Sequence, residues 1–338
     1  MQSEQQATPI AVLGAGSWGT ALAVLLAENG YEVRLWSYDP EQVAQMRKIR
    51  CNAYYLPEIT FPDNLEVFDD LPATLNQIQD ILIVVPSHAF QGLLQRLKPE
   101  LSVGSRLVWG TKGLDPQSGQ LLHTIAQETL GIELPTAVLS GPSFAREVAL
   151  KKPTAVTIAT TDSAWAEALT ARLNNSYFRV YTTSDIVGVE VCGAVKNILA
   201  IAAGVVDGLQ LGINALSALV TRGLAEMQRL GIALGGKPQT FLGLAGVGDL
   251  MLTCADNQSR NRRFGAAIAR GKTEDQAIAE IGQVVEGASN LKAVYRLAQQ
   301  LQVEMPITEQ IYEVLYQGLP VQAAIENLFS RQPRSELD

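Results

Sequence analysis

The chain has 338 residues, of which 47% are hydrophobic, 18% charged and 6% aromatic, enough apolar material for about two cores at ~100–200 residues per domain. That composition excludes intrinsic disorder. With 26 basic against 34 acidic residues the net charge is −8, which argues against general binding to nucleic acid or an anionic membrane and leaves room for a local basic pocket.

The polar start, Met1 to Ala7, carries no basic n-region or apolar h-region, so no secretory signal is expected. No stretch reads as the ~20 apolar residues of a membrane span. The richest run, Ile186 to Val206, is interrupted by Glu190, Lys196 and Asn197. Cys51, Cys192 and Cys254 are widely spaced and match no metal pattern, and His88 and His123 are too few for a His-rich site. The expectation is a soluble, cytoplasmic protein without a metal and with reduced, buried cysteines.

In chain order, Ile10–Leu13 is a short apolar run, Thr20–Asn29 a helix closed by Gly30, and Tyr31–Trp36 a second strand. Further strands are expected at Leu65–Phe68, Ile81–Val85, Arg106–Trp109, Thr136–Leu139, Ala155–Ala159 and Phe178–Tyr181. Several are continuously apolar, as parallel strands covered on both faces are. Strands alternating with helices predict a doubly wound, Rossmann-type α/β domain over residues 8–185. From Ile186 the pattern turns helical, with candidates at Ile213–Leu234, Arg262–Arg270, Thr273–Ile281, Ala288–Leu301, Ile307–Tyr316 and Val321–Leu328. An all-α domain is expected over 186–330, with a polar tail from Arg331.

Gly14-Ala15-Gly16-Ser17-Trp18-Gly19 matches G-x-G-x-x-G directly after a strand and at the opening of a helix, the context of a dinucleotide fingerprint. Gly14 serves the tight turn, Gly16 the approach of a pyrophosphate, and Gly19 the packing of helix on strand. The second strand ends in Trp36-Ser37-Tyr38, with Asp39 late for a ribose hydroxyl and Arg34 nearby, so the pattern leans toward NADP(H) and admits NAD(H). The later strand ends lead into Pro86-Ser87-His88, Gly110-Thr111-Lys112-Gly113 and Ser140-Gly141-Pro142-Ser143, small and hydroxylic loops with one lysine that suit an anionic substrate. His88 reads as a structural residue at a helix start.

Lys196 is one cation in an apolar helical run and needs a carboxylate, a phosphate or a reacting oxygen as partner. Asp249, alone in a glycine-rich apolar turn, either orients a lysine, accepts a substrate hydroxyl or caps a helix. Ser259-Arg260-Asn261-Arg262-Arg263 offers guanidinium forks for a phosphate, at least one of the three arginines being ordinary surface charge.

Together GAGSWGTALA, VVPSHAF, WGTKGL, LSGPSFAREVA, GAVKNILAIAAG, TRGLAEM, GLAGVGDLMLTC, NQSRNRRFG and VVEG closely resemble the bacterial NAD(P)-dependent glycerol-3-phosphate dehydrogenases, from Ile10 to about Leu328. The resemblance implies a helical C-terminal domain like that of 6-phosphogluconate dehydrogenase and the reversible reduction of dihydroxyacetone phosphate to sn-glycerol 3-phosphate, feeding glycerophospholipid synthesis. It implies Lys196 as catalytic proton donor and acceptor. Substrate would be bound by Lys112, Gly141, Ser143, Lys196, Asp249, Ser259, Arg260 and Asn261. Cofactor, NADP(H) or NAD(H), would be bound by Gly14, Gly16, Ser17, Trp18, Gly19, Tyr38, Lys112, Ala145, Arg260, Val284 and Glu286. The partner is then a small phosphorylated molecule, without nucleic acid or membrane insertion, and assembly as a homodimer stays open. Two other readings remain at this stage: a related two-domain dehydrogenase of a hydroxy acid, and a non-catalytic nucleotide sensor that gives no reason for Lys196.

Overall fold

The computed structural model describes residues 8–332 and 335, so the polar start Met1–Ala7 and most of the tail from Arg331 lie outside the described residues. The chain divides into two units, one of residues up to 115 with 120–190, the other of 116–119 with 191 onward.

The first unit runs β1 (Ile10–Leu13), α1 (Ser17–Glu28), β2 (Val33–Trp36), α2 (Pro40–Ile49), β3 (Cys51–Asn52), β4 (Leu56–Thr60), β5 (Leu65–Phe68), α3 (Leu71–Leu75), β6 (Asp80–Ile83), α4 (Ser87–Leu97), β7 (Arg106–Trp109), α5 (Leu122–Leu130), β8 (Thr136–Ser140), α6 (Ala145–Ala149), β9 (Thr154–Ala159), α7 (Ser163–Leu173) and β10 (Phe178–Thr183), and it ends inside α8 (Ile186–Gly208). Its main sheet has the order β10-β9-β8-β7-β6-β1-β2-β5, and β3 pairs with β4 in a separate small hairpin. Every residue of β1 and β6 is buried, and apart from Asp80, which opens β6 paired with Arg106 and Arg172, these central strands are apolar without alternation. Strand order reverses between β1 and β6, which makes that crevice the topological switch point where ligands of open α/β sheets bind.

The sheet is not wholly parallel. β8 pairs antiparallel with β9, Val138 opposite Ala159, so β9 and β10 run against the other strands. The connection after β8 holds only the short α6, packed against α1, and so short a helix does not carry the chain back along the sheet for a parallel crossover. The longer α7 does, and β9 and β10 are parallel to each other. Edge strand β10 alternates, with Phe178 and Val180 buried and Arg179 and Tyr181 exposed.

The second unit is helical: the rest of α8, then α9 (Gly212–Ala233), α10 (Pro238–Phe241), a π-turn over Leu244–Gly248, α11 (Asp249–Ala255), α12 (Arg260–Ala269), α13 (Glu274–Ile281), α14 (Glu286–Gln300), α15 (Pro306–Tyr316) and α16 (Val321–Phe329). Contrary to the sequence expectation, the 23-residue α8 is long and apolar enough to cross a bilayer by length and composition, its Glu190, Lys196, Asn197 and Asp207 notwithstanding, but 89% of its most apolar window is buried in the fold. Two glycines let it pack tightly: a Cβ on Gly204 would stand 1.9 Å from the Arg262 carbonyl oxygen of α12, and one on Gly208 would stand 2.8 Å from that of Ala266.

Candidate active site

In the first unit the glycine-rich loop forms a cradle at the switch point. Gly14 sits at φ +120°, and a Cβ there would lie 2.4 Å from the Val84 carbonyl oxygen at the end of β6. A Cβ on Gly19 would lie 1.8 Å from the Gly14 oxygen, whereas one on Gly16 meets nothing within 4 Å. Two glycines therefore close the loop, and the third leaves its backbone open on the side a pyrophosphate must approach. These residues fit a dinucleotide. Ser17 opens α1, and the Trp18 indole lies against Gly110, whose Cβ would stand 2.9 Å from Trp18 Nε1. That indole nitrogen is buried without a hydrogen-bond partner among the described residues, a donor available to a bound molecule.

Loops after β6, β7 and β8 follow at the same carboxyl edge. Thr111 donates to the Val85 carbonyl at 2.8 Å, joining the first two, and the half-buried Lys112 follows it in the chain. Gly141 adopts φ +131°, and its Cβ would press to 3.0 Å on Val156 Cα, so the turn here requires a glycine. Ser143 donates to the Gly141 carbonyl at 2.9 Å, and Ala145 opens α6. Tyr38 is 81% exposed, and His88 is an exposed residue in the first turn of α4. Arg34 does not stand free for a 2′-phosphate: its Nη1 donates to the carbonyls of Ala73, Thr74 and Asn76 at 3.2, 3.2 and 2.8 Å.

A third cluster in this unit was not legible in the residue pattern. Glu190, buried in the second turn of α8, accepts from Trp109 Nε1 at 3.0 Å, from the His123 backbone N–H at 3.0 Å and contacts His123 Nδ1 at 2.6 Å. Burial pulls the His123 pKa down, but the hydrogen bond and charge of Glu190 outweigh it and hold the imidazole above its ordinary 6.5.

In the second unit Lys196 finds the partner its isolation demanded. Its Nζ donates to Asp249 Oδ1 at 2.6 Å and to Thr253 Oγ1 at 3.1 Å, and Thr253 donates in turn to the Asp249 carbonyl at 2.6 Å. All three side chains are buried. Asp249 opens α11 directly after the π-turn and its carboxylate serves the lysine rather than a cap. Thr253 was missed, although its spacing of four residues from Asp249 on one helix was the available signal. Cys254 beside it has its thiol pushed up to about 12 by burial, against the opposing charges of Lys196 and Arg262, so it is an inert core residue.

A second network adjoins the first. Asn197 Nδ2 donates to Glu286 at 3.3 Å, Asn261 Nδ2 donates to Asn197 Oδ1 at 3.0 Å, and Gly287 N donates to Asn261 Oδ1 at 2.9 Å. Asn261 and Glu286 are thus brought together beside the lysine helix, while Val284 is exposed. Ser259 accepts from Arg262 N at 3.2 Å as the N-cap of α12. The three arginines separate: Arg262 is buried and paired with Asp207 at 2.9 Å, Arg263 is exposed, and the half-buried Arg260 makes no hydrogen bond or ion pair within the described residues. A cleft of about 410 Å³ between α14 and α15 is lined by Tyr295, Gln299, Glu304 and Glu309 and contains none of these groups.

Two family models account for most of the chain: the N-terminus of NAD-dependent glycerol-3-phosphate dehydrogenase matches residues 9–166 and its C-terminus residues 185–326. A curated glycerol-3-phosphate dehydrogenase [NAD(P)+] from Tolumonas auensis is 52% identical over 331 residues, covering 98% of this chain and 99% of the relative. The chain belongs to the NAD-dependent glycerol-3-phosphate dehydrogenase family. A glycerol-3-phosphate dehydrogenase from Coxiella burnetii superposes with a TM-score of 0.94 at 51% identity, covering 96% of this chain and 99% of that one. The family enzyme of Saccharomyces cerevisiae follows at a TM-score of 0.82 and 28% identity, covering 95% and 99%. A D-mandelate dehydrogenase, 15% identical with a TM-score of 0.63 over 96% of this chain and 100% of its own, shares the fold.

Proposed function

We propose that this chain catalyses the reversible reduction of dihydroxyacetone phosphate to sn-glycerol 3-phosphate with NAD(P)H, forming the backbone used for glycerophospholipids. The observation that carries the reading, beside family membership, is the buried Lys196 held by Asp249 and Thr253. A nicotinamide dinucleotide held at the Gly14–Gly19 cradle, by Ser17, Trp18, Ala145 and the Tyr38 end, supplies the hydride. As charge builds on the ketone oxygen, the Lys196 ammonium stabilises it and delivers the proton; in the reverse direction it takes the proton back. Asp249 and Thr253 keep that ammonium charged and fix where it points. Arg260 takes the phosphate, whose binding energy far from the carbonyl orients the reacting carbon. Lys112, Gly141, Ser143 and Asn261 complete the substrate contacts, and Val284 and Glu286 those of the cofactor. Ser259 contributes by capping the helix that begins at Arg260.

The reading places the enzyme in the cytoplasm without membrane insertion, supported by cysteines that form no disulfide and by the burial of α8. A spectrophotometric assay tests it: dihydroxyacetone phosphate must drive oxidation of NADH or NADPH, and unphosphorylated dihydroxyacetone must do so poorly. Absence of turnover with both nucleotides would overturn the reading.

A further inference from the structure

We propose that Asn52 and Gln42 are positioning residues: their side-chain amides clamp the Ala15 carbonyl and so aim the Gly16 N–H at the phosphates of the bound dinucleotide. The inference rests on the dinucleotide reading of the Gly14–Gly19 cradle and extends it to two residues outside the glycine-rich loop.

Asn52 ends β3 and is only 1% exposed. Its Nδ2 donates to the Ala15 carbonyl at 2.9 Å and to Thr20 Oγ1 of α1 at 2.9 Å. Gln42, half-buried in the first turn of α2, donates from Nε2 to the same Ala15 oxygen at 3.1 Å. The buried Ser37 donates to Gln42 Oε1 at 2.6 Å, which fixes the amide with its NH₂ turned to Ala15. Two amides from separate elements thus converge on one carbonyl and fill both of its lone pairs. Packing alone would be served by an apolar residue at position 52, because a buried amide must recover its desolvation through hydrogen bonds.

The Ala15 carbonyl and the Gly16 N–H belong to one peptide group, and a planar trans peptide points them in opposite directions. Holding the oxygen against Asn52 and Gln42 therefore turns the N–H away from both. Gly16 is the N-cap of α1 and supplies no side chain to the first N–H groups of that helix, and a Cβ on it would meet nothing within 4 Å. The Gly16 N–H joins those groups as a donor set for an anion. The glycine that opens this space also makes its peptide easy to rotate. A rotated peptide would show the phosphates a carbonyl oxygen in place of an N–H, exchanging attraction for repulsion. The amide clamp is what prevents that rotation.

Fluorescence titration of NADH and NADPH into the full-length protein, beside thermal melts, tests the clamp. Asn52→Ala should weaken both nucleotides by the same factor, roughly tenfold, because one charge-assisted N–H contact loses its aim. Gln42→Met should weaken both several-fold. ADP, which keeps the pyrophosphate and lacks the nicotinamide, should weaken alongside them in competition titrations. Thr20→Val removes the other hydrogen bond of Asn52 at nearly constant shape, so it should lower the melting temperature and leave all affinities within about twofold. Parental affinities in folded Asn52→Ala and Gln42→Met would overturn the inference and make the amides a structural brace. Equal losses in Thr20→Val would overturn it as well, the effect then following loosened packing of α1. If Asn52→Ala does not fold, Gln42→Met, at a half-buried position, decides by the same measure. A parent that binds neither NADH nor NADPH would remove the dinucleotide reading itself.

Discussion

Lys196 Nζ lies 2.6 Å from Asp249 Oδ1, with the two residues only 6% and 1% exposed. A buried pair of this kind loses stability when one member is removed, by ~3–5 kcal/mol, because the other is left as an uncompensated charge. Lys196→Met should therefore lower the melting temperature as well as activity. Lys196→Met combined with Asp249→Leu should regain most of the lost stability, since an apolar pair replaces an ionic one. Both variants should lose at least ~100-fold in kcat, the lower bound for a missing general acid. Single-turnover rates beside thermal melts separate the effects. Activity restored together with stability in the double variant would make the lysine a structural residue.

The sequence pattern made the first unit legible as far as its physics is local. A buried parallel strand is an uninterrupted apolar run, and a glycine without room for a Cβ must recur where β1 meets α1. Strand direction is not local: β9 looks like any other buried strand, and only the shortness of the link through α6 turns it around. The same divide runs through the site. Lys196 announced itself by its isolation, but its partners lie 53 and 57 residues away in the chain. Glu190 appeared as a mere interruption of an apolar run because Trp109 and His123 belong to other elements. Three neighbouring arginines look alike in sequence, and only packing gives Arg262 to Asp207 and leaves Arg260 open.

The two kinds of glycine in the cradle should separate on mutation. Gly19→Ala forces a Cβ to within 1.8 Å of a backbone oxygen, so the loop must shift, at a cost of ~1–3 kcal/mol. Gly16→Val meets no atom of the protein within 4 Å and should fold with close to parental stability. Its side chain instead fills the approach to the backbone, and dinucleotide affinity should fall sharply. Thermal melts and nucleotide titration on both variants check this, and a Gly16→Val protein with parental affinity would contradict the assignment of the cradle.

His123 should remain protonated above its ordinary 6.5, and Glu190→Gln should drop it below, because burial persists while the opposing charge is gone. A pKa raised by a partner in the fold adds stability that is complete below 6.5 and is lost as pH rises through the folded value. Proton NMR titration of the His123 ring in the parent and in Glu190→Gln reads both values directly.

Glu226 reverses the usual behaviour of a carboxylate. It accepts from Ile307 N at 2.5 Å, Thr308 N at 3.2 Å and Thr308 Oγ1 at 3.1 Å at the start of α15. Burial nevertheless outweighs those bonds and the charge of Arg229, pushing its pKa from 4.5 up to about 7. Between those values the folded protein holds a proton that the unfolded chain has released, so stability falls as pH rises from 4.5 to 7, by about 3 kcal/mol for this group. Glu226→Gln removes the titration and should flatten that part of the stability profile, measured by denaturant unfolding across the range. An unchanged slope in the variant would show that the hydrogen bonds prevail over burial.

Arg260, Arg262 and Arg263 should give three different outcomes when each is changed to alanine. Arg262 is buried against Asp207, so its loss should lower stability first. Arg263 is exposed, and its loss should change little. Arg260 is half-buried, and its side chain has no hydrogen bond or ion pair within the described residues. A hydrogen bond to a charged group is worth ~1.5–3 kcal/mol, so Arg260→Ala should raise KM for dihydroxyacetone phosphate by roughly 10- to 150-fold. Turnover of unphosphorylated dihydroxyacetone, slow in the parent, should stay the same in the variant, because it has no phosphate to lose. The ratio of the two effects is the decisive number. If Arg260→Ala slows both substrates equally, the arginine shapes the site as a whole, and the phosphate is held by another group.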